Sequence, residues 1–182
     1  MSKKYPIETE RLYLRHPEIK DAKPFIELMR ASKNLHHPWV EPPCEQDHFE
    51  FYCKVAQSEQ TDGYVICSKE TDAVMGVINI NQIVYGVLCN ASLGYYIGES
   101  YAHSGYMHEA LLGILHFAFA EKKLHRLEAN IQAGNHYSKR LIRKLRFRNE
   151  GFSPKYIYIN GKWCDHERYA MTVEDYVQKL MQ

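Results

Sequence analysis

Residues 99–112 read ESYAHSGYMHEALL, and Gly105 stands just ahead of a long helical pattern that places Leu111, Leu112, Leu115, Ala118 and Phe119 inward. The first turn of a helix leaves backbone N–H groups unpaired and carries partial positive charge. A glycine there lets an anion approach the backbone closely. Ser104 adds a hydroxyl that can cap the helix or reach the same anion. The loop of Ala102, His103, Ser104, Gly105, Tyr106 and Met107 therefore has the chemistry of a pyrophosphate cradle. A glycine at a helix start also serves tight packing, so the loop alone does not decide between the two. It is not GxGxxG and no Walker lysine follows, which argues against dinucleotide and P-loop sites.

A second group with chemical potential is Asn135 and Ser138, at the start of a helical pattern over 136–145. Asn135 can cap the helix by itself. Lys139, Arg140, Arg143 and Lys144 follow; they form a solvated basic face or meet a polyanion. The ten histidines suggest metal, but their spacing does not fit ligand patterns. His108-Glu109 begins like HExxH without the second histidine, and His36-His37 has no acid or cysteine in register. No metal is expected.

The chain has 182 residues, 45% hydrophobic and 25% charged, with net charge +1. That suits one domain, residues 1–182, with no global field for nucleic acid or membrane. No apolar window of about 18 residues exists. The basic start lacks the apolar segment of a signal peptide. Cys44, Cys53, Cys67, Cys89 and Cys164 are odd in number and without CxxC spacing, as expected of reduced thiols in a cytoplasmic protein. None has a nearby histidine pattern for covalent transfer.

The elements that must position these residues follow from periodicity. Strands are expected at 9–15, 63–69, 73–81, 91–99, 126–132, 152–159 and 163–172, the last two flanking an Asn160-Gly161 hairpin turn. Helices are expected at 18–33, 47–58, 105–122 and 136–145, with a proline-rich loop at 36–43. Helices separated by strands in the second half imply a mixed sheet packed between helices.

With these segments in view, 94–112 resembles the acetyl-CoA loop of the GNAT superfamily of N-acyltransferases, whose pattern is Gln/Arg-x-x-Gly-x-Gly/Ala. Gly105 keeps the central glycine; Ala102 and Met107 depart from the end positions. The segment 135–151 resembles the family's Asn-x-x-Ser…Leu-Gly-Phe…Glu-Gly, with Arg146 for the usual glycine. Together with TERLYLR at 9–15 and NGKWCDH at 160–166, the chain is similar to the ribosomal-protein-alanine branch, nearest the type acting on small-subunit protein S5.

The resemblance implies an α/β (α+β) fold: a mostly antiparallel, twisted sheet of about seven strands, with two splayed central strands holding acetyl-CoA. It implies direct acetyl transfer to an amine, with a protein N-terminus as acceptor. It sets the backbone of Tyr95, Tyr96 and Ile97 against the pantetheine and thioester, where N–H groups can polarise the carbonyl. It gives Asn135 to the cofactor and Ser138 to the sulfur. Trp39, with His37 beside it, becomes a candidate wall of a substrate groove between the loop 36–43 and the final hairpin. The family's usual base positions hold Ser92 and Ile157 here, so no carboxylate base is identified. Glu99, His36, His37, Asp165 and tyrosines such as Tyr96 remain as relays, and Glu109 is read as structural. The alternatives are a small-molecule amine acetyltransferase and a non-catalytic CoA-binding module. The oligomeric state, monomer or homodimer, stays open.

Overall fold

The structure, a computed structural model, describes residues 5–180; the basic start at 1–4 lies outside them. The chain begins with β1 (Ile7–Glu8) and β2 (Leu12–Arg15), a 3-10 turn (Ile19–Asp21) and helices α1 (Ala22–Ala31), α2 (Lys33–His36) and α3 (Gln46–Val55). Strands β3 (Gln57–Ser58), β4 (Thr61–Ser68), β5 (Val74–Val84) and β6 (Asn90–Ile97) follow, then α4 (Tyr106–His116), β7 (Arg126–Gln132), α5 (His136–Lys144), β8 (Arg148–Ile159), β9 (Lys162–Thr172) and α6 (Val173–Leu180). The described strands form one sheet in the order β1-β2-β4-β5-β6-β7-β9-β8, with β3 beside β4. Seven are the expected strands; β1 and β3 are two-residue additions, too short for any periodic signal.

Alternation along the central strands separates two cores. Tyr64, Ile66, Ile78 and Ile80 meet Leu111, Ile114 and Leu115 of α4 on one face. Val65, Cys67 and Val77 meet Phe25, Met29 and Phe49 of α1 and α3 on the other. The sheet is thus buried on both faces, which holds its strands rigid relative to the helices.

Three helical expectations change. The helix expected over 18–33 opens as the 3-10 turn Ile19–Asp21 and is α-helical over Ala22–Ala31, with Ser32 separating it from α2. The helix expected to 122 is α-helical only to His116; Phe117–Glu121 forms a π turn, in which the Lys122 N–H reaches Phe117 O at 3.0 Å. The helix expected over 47–58 ends at Val55, because Gln57–Ser58 turns back to pair with β4.

The feature that positions the site is the failure of one pairing. β6 runs parallel to β7 only at Asn90–Arg126, Ala91–Leu127 and Ser92–Glu128. β6 nevertheless stays on β5 out to the Gly76–Ile97 pair, and β7 stays on β9 out to Gln132–His166. From Leu93 onward the two strands diverge, leaving a V-shaped wedge in the middle of the sheet.

Candidate active site

Backbone groups alternate in direction along a strand. The Gly98 N–H donates to Met75 O at 2.8 Å, toward β5. The Tyr96 carbonyl also faces β5: a β-carbon on Gly76 would lie 2.5 Å from it. Alternation therefore turns the backbone groups of Tyr95 and Ile97 the other way, into the wedge. Tyr95, Tyr96 and Ile97 all line a cavity of about 360 Å³ at this point.

The cradle closes one end of that cavity. Gly105 is the N-cap of α4, with φ 81°, a left-handed conformation that glycine adopts without strain. His103, at φ 61°, is left-handed too, so the loop curls back before the helix begins. Ala102, His103, Gly105, Tyr106 and Met107 line the cavity; Ser104 does not. Ser104 also fails as the expected cap: its hydroxyl donates to Ala102 O at 3.3 Å, one residue short of the N-cap.

Asn135 and Ser138 line the same cavity from the start of α5. Asn135 is the N-cap, its Oδ1 accepting from the Ser138 N–H at 3.1 Å. Capping uses the acceptor and leaves the amide NH2 directed elsewhere. The basic face divides in a way the spacing does not reveal. Arg140 and Lys144 reach the cavity. Lys139 is buried, donating to Ala133 O at 2.6 Å and pairing with Glu167 at 2.7 Å, while Arg143 donates to the Tyr169 hydroxyl at 2.9 Å. Both tie α5 to β9, but only Lys139 is withdrawn from solvent; Arg143 stays exposed and keeps its place on the solvated basic face.

The opposite wall comes from α2 and the loop after it. Trp39 lines the cavity and packs over Gly134, where a β-carbon would lie 3.1 Å from its ring. His37 is exposed and lies off the cavity; His36 is the one turned inward. Its Nε2 lies 2.9 Å from Ile97 O and its ring stands edge-on to Tyr96. A carbonyl only accepts, so Nε2 carries the proton and the neutral ring's Nδ1 is an acceptor. Burial lowers the His36 pKa in spite of the Ile97 bond, so the ring is neutral at pH 7. The expected groove between this loop and the final hairpin is bridged instead: Asn160 Nδ2 donates to Pro38 O at 3.0 Å and Gln132 Nε2 to Trp39 O at 2.9 Å. The opening lies on the other side of the loop, toward α4 and α5.

No carboxylate lines the cavity among the described residues. Glu99 is exposed on a 3-10 turn beyond the end of β6; its backbone N–H bonds Ser32 Oγ, but its side chain stays outside. Ser92 lies where β6 and β7 still pair, and Ile157 on β8, both away from the cavity. Asp165 accepts from the Lys155 N–H, also outside. Burial pushes the ionisation of Tyr95 and Tyr96 well up, so each keeps its proton at neutral pH and neither serves as the base. The Tyr95 hydroxyl is sealed from solvent and has no hydrogen bond. No group of three or more His, Cys, Asp or Glu able to hold a metal occurs among the described residues. Nor is any described helix long and apolar enough to cross a membrane.

A sheet split between two parallel strands, a helix N-terminus at the mouth of the split and a serine facing it define an acyl-CoA transferase site. The description "Acetyltransferase (GNAT) domain" matches residues 11–148, and the chain belongs to that family. It is 32% identical over 124 residues, 68% of each chain, to the probable N-acetyltransferase YjcK of Bacillus subtilis. It is 26% identical to the [ribosomal protein uS5]-alanine N-acetyltransferase of Escherichia coli, covering 95% of this chain and 93% of that one. Among solved structures, Mycobacterium smegmatis RimJ in complex with CoA-disulfide superposes with a TM-score of 0.86 at 24% identity, over 93% of this chain and 88% of that one. The protein is an acetyl-CoA-dependent N-acetyltransferase. The residues present suit that co-substrate: a left-handed glycine cradle for the pyrophosphate, unpaired strand amides for the pantetheine and an orphaned hydroxyl beside Ser138.

Proposed function

We propose that the protein acetylates the N-terminal α-amine of a protein, an alanine of a ribosomal protein such as S5, in the cytoplasm. The cavity without a carboxylate is the observation that carries this reading. An α-amine of pKa about 7.8 is roughly one-third neutral at pH 7.5, whereas a lysine of about 10.4 is only ~0.1% neutral. A site offering neutral histidines and water suits the first amine and not the second. The Rim-type relative named for uS5-alanine acetylation supports the same acceptor. A continuous sheet through the described strands supports reading 1–182 as one catalytic domain.

Acetyl-CoA supplies a thioester, an activated acyl group with a good leaving group. Gly105 and the start of α4 hold its phosphates through backbone N–H groups, with Arg140 and Lys144 adding charge. The amides of Tyr95 and Ile97 take the place of a paired strand and donate where negative charge develops on the carbonyl oxygen. Asn135 orients the pantetheine arm through its NH2 group. Ser138 donates to the sulfur as it becomes a thiolate. Trp39 and Leu35 form the apolar wall against which the acceptor chain lies. Incubation with labelled acetyl-CoA and whole ribosomal proteins, followed by mass-spectrometric mapping, tests the reading. Label on a protein N-terminus is expected; label confined to lysines or to small amines would overturn it.

A further inference from the structure

We propose that Tyr95 is a positioning residue for Ser138: its phenol O–H donates to Ser138 Oγ and turns the Ser138 O–H toward the thioester sulfur. The inference rests on the role given to Ser138 above and not on which amine is acetylated.

Three observations meet here. Tyr95 lies on β6 just where that strand has left β7, and it lines the cavity together with Ser138. Its hydroxyl is sealed from solvent and makes no hydrogen bond. The Ser138 side chain faces it from the start of α5, near enough to act as a hydrogen-bonding neighbour that partly offsets the effect of burial on the phenol. A buried hydroxyl without a partner is unfavourable and is rare in native structures. Catalytic hydrogen bonds are commonly long before ligands bind and tighten in the complex. On this proposal the Ser138 hydroxyl turns to close this one when acetyl-CoA binds.

The polarity of the pair follows from counting protons. Each hydroxyl has one proton to give and lone pairs to accept with. If Ser138 donated to Tyr95, the phenol proton would stay buried without an acceptor and the sulfur would lose its donor. If Tyr95 donates to Ser138, the phenol is satisfied and the serine proton is free for the sulfur. Burial also keeps Tyr95 protonated, which leaves it as a donor throughout.

In the transfer step the amine nitrogen attacks the thioester carbon. The C–N bond forms, the C–S bond breaks, and the electron pair of that bond moves to sulfur, where the Ser138 O–H meets it. The surplus amine proton passes to solvent and the thiol regains one from solvent. Tyr95 and Ser138 finish the cycle protonated as they began. Tyr95 thus acts on the leaving group only through Ser138.

The test compares Tyr95→Phe, Ser138→Ala and the double variant. Phenylalanine keeps the ring and its packing and removes only the hydroxyl. Two quantities are read: turnover at saturating acetyl-CoA, and the pKa of the thiol of bound CoA, followed by thiolate absorbance in the ultraviolet. Each single change should lower turnover about tenfold, a loss on the scale of one hydrogen bond, with KM for acetyl-CoA nearly unchanged. Each should raise the bound thiol's pKa by the same amount, and the double variant should go no further than Ser138→Ala. Additive losses in the double variant would overturn the relay. So would wild-type behaviour of Tyr95→Phe beside an impaired Ser138→Ala, which leaves Ser138 in place. Wild-type behaviour of Ser138→Ala in both readouts would overturn the serine's own role and the relay with it.

Discussion

Arg11 and Glu109 are 98 residues apart and form a salt bridge at 2.6 Å that fastens the start of the chain to the first turn of α4. Glu109 accepts from three donors: the Thr9 hydroxyl at 2.6 Å, the Arg11 N–H at 2.8 Å and the Arg11 guanidinium. Burial by itself would raise its pKa; the three hydrogen bonds outweigh that and hold it below the ordinary carboxylate range. The same guanidinium donates to Ser104 O at 3.3 Å and lies 4.3 Å from the centre of the Tyr106 ring. One arginine therefore braces the cradle loop from the side away from the cavity. Arg11→Ala should raise KM for acetyl-CoA several-fold while leaving turnover at saturation close to wild type. Initial rates across an acetyl-CoA series check this; unchanged KM would remove Arg11 from the cradle's support.

In the proposed cradle, Gly105 acts through its backbone conformation. A β-carbon there would meet only Arg11 Nη2, at 3.5 Å, so space inside the protein is not the constraint. The left-handed φ is, at a cost of about 1–2 kcal/mol for a side chain. Gly105→Val should stay folded, lose stability on that scale, and bind CoA at least about tenfold more weakly because the side chain also shields the helix amides. Titration calorimetry on the folded variant decides the matter, and wild-type affinity would sink the cradle.

Asn135 caps α5, and the proposed function gives it a second, separable job in holding CoA. Asn135→Ala should lose about 1 kcal/mol of stability with the helix cap and also weaken CoA binding. Asn135→Asp keeps the acceptor that caps α5 and loses the NH2 group. It should retain the melting temperature and still bind CoA poorly. Equal affinity of the aspartate variant and wild type would assign Asn135 to capping alone.

Acid should destabilise the fold earlier than carboxylates alone would. Burial lowers the pKa of His36, of His108 with help from Lys144, and of His166. The unfolded chain takes up these protons near pH 6.5, the folded chain only at lower pH. Stability is therefore complete above about pH 6.5 and falls as the pH drops below it, down to the folded-state values. His36→Gln should remove part of that slope. Melting temperatures that stay flat from about pH 7.5 to 5.5 would contradict it; Glu109 and the other paired carboxylates act only below about pH 4.5.

Much of the lining of the candidate site was legible because it depends on local backbone chemistry. Gly105, Asn135 and Ser138 lie at helix starts, and helix starts are written in short residue patterns. What escaped depends on tertiary phase. His36 and His37 are adjacent, and only the seating of α2 on the end of β6 decides which ring turns inward. Lys139 looks solvated by spacing, yet Glu167, 28 residues away, draws it under the helix. Ser104 fails as a cap because His103 turns left-handed and shifts the helix start by one residue. Helix α6 did leave a signal: Thr172 and Asp175 bond each other's N–H groups at 3.3–3.4 Å, a capping box of the Thr-x-x-Asp kind. Periodicity alone does not mark this helix, because β9 runs into it with no glycine or proline between them.

The acceptor amine is the most direct test of the proposed activity. Two peptides of equal length are offered at pH 7.5 with saturating acetyl-CoA: one with a free N-terminal alanine, the other blocked there and carrying an internal lysine. The neutral fractions of the two amines differ by roughly two orders of magnitude, and the cavity lining has no carboxylate to offset that. The free-alanine peptide should be acetylated faster by a comparable factor, at a rate that rises with pH and levels off above about 8 as the α-amine loses its proton. Faster acetylation of the blocked peptide would contradict both the substrate class and the inference drawn from a cavity without a carboxylate.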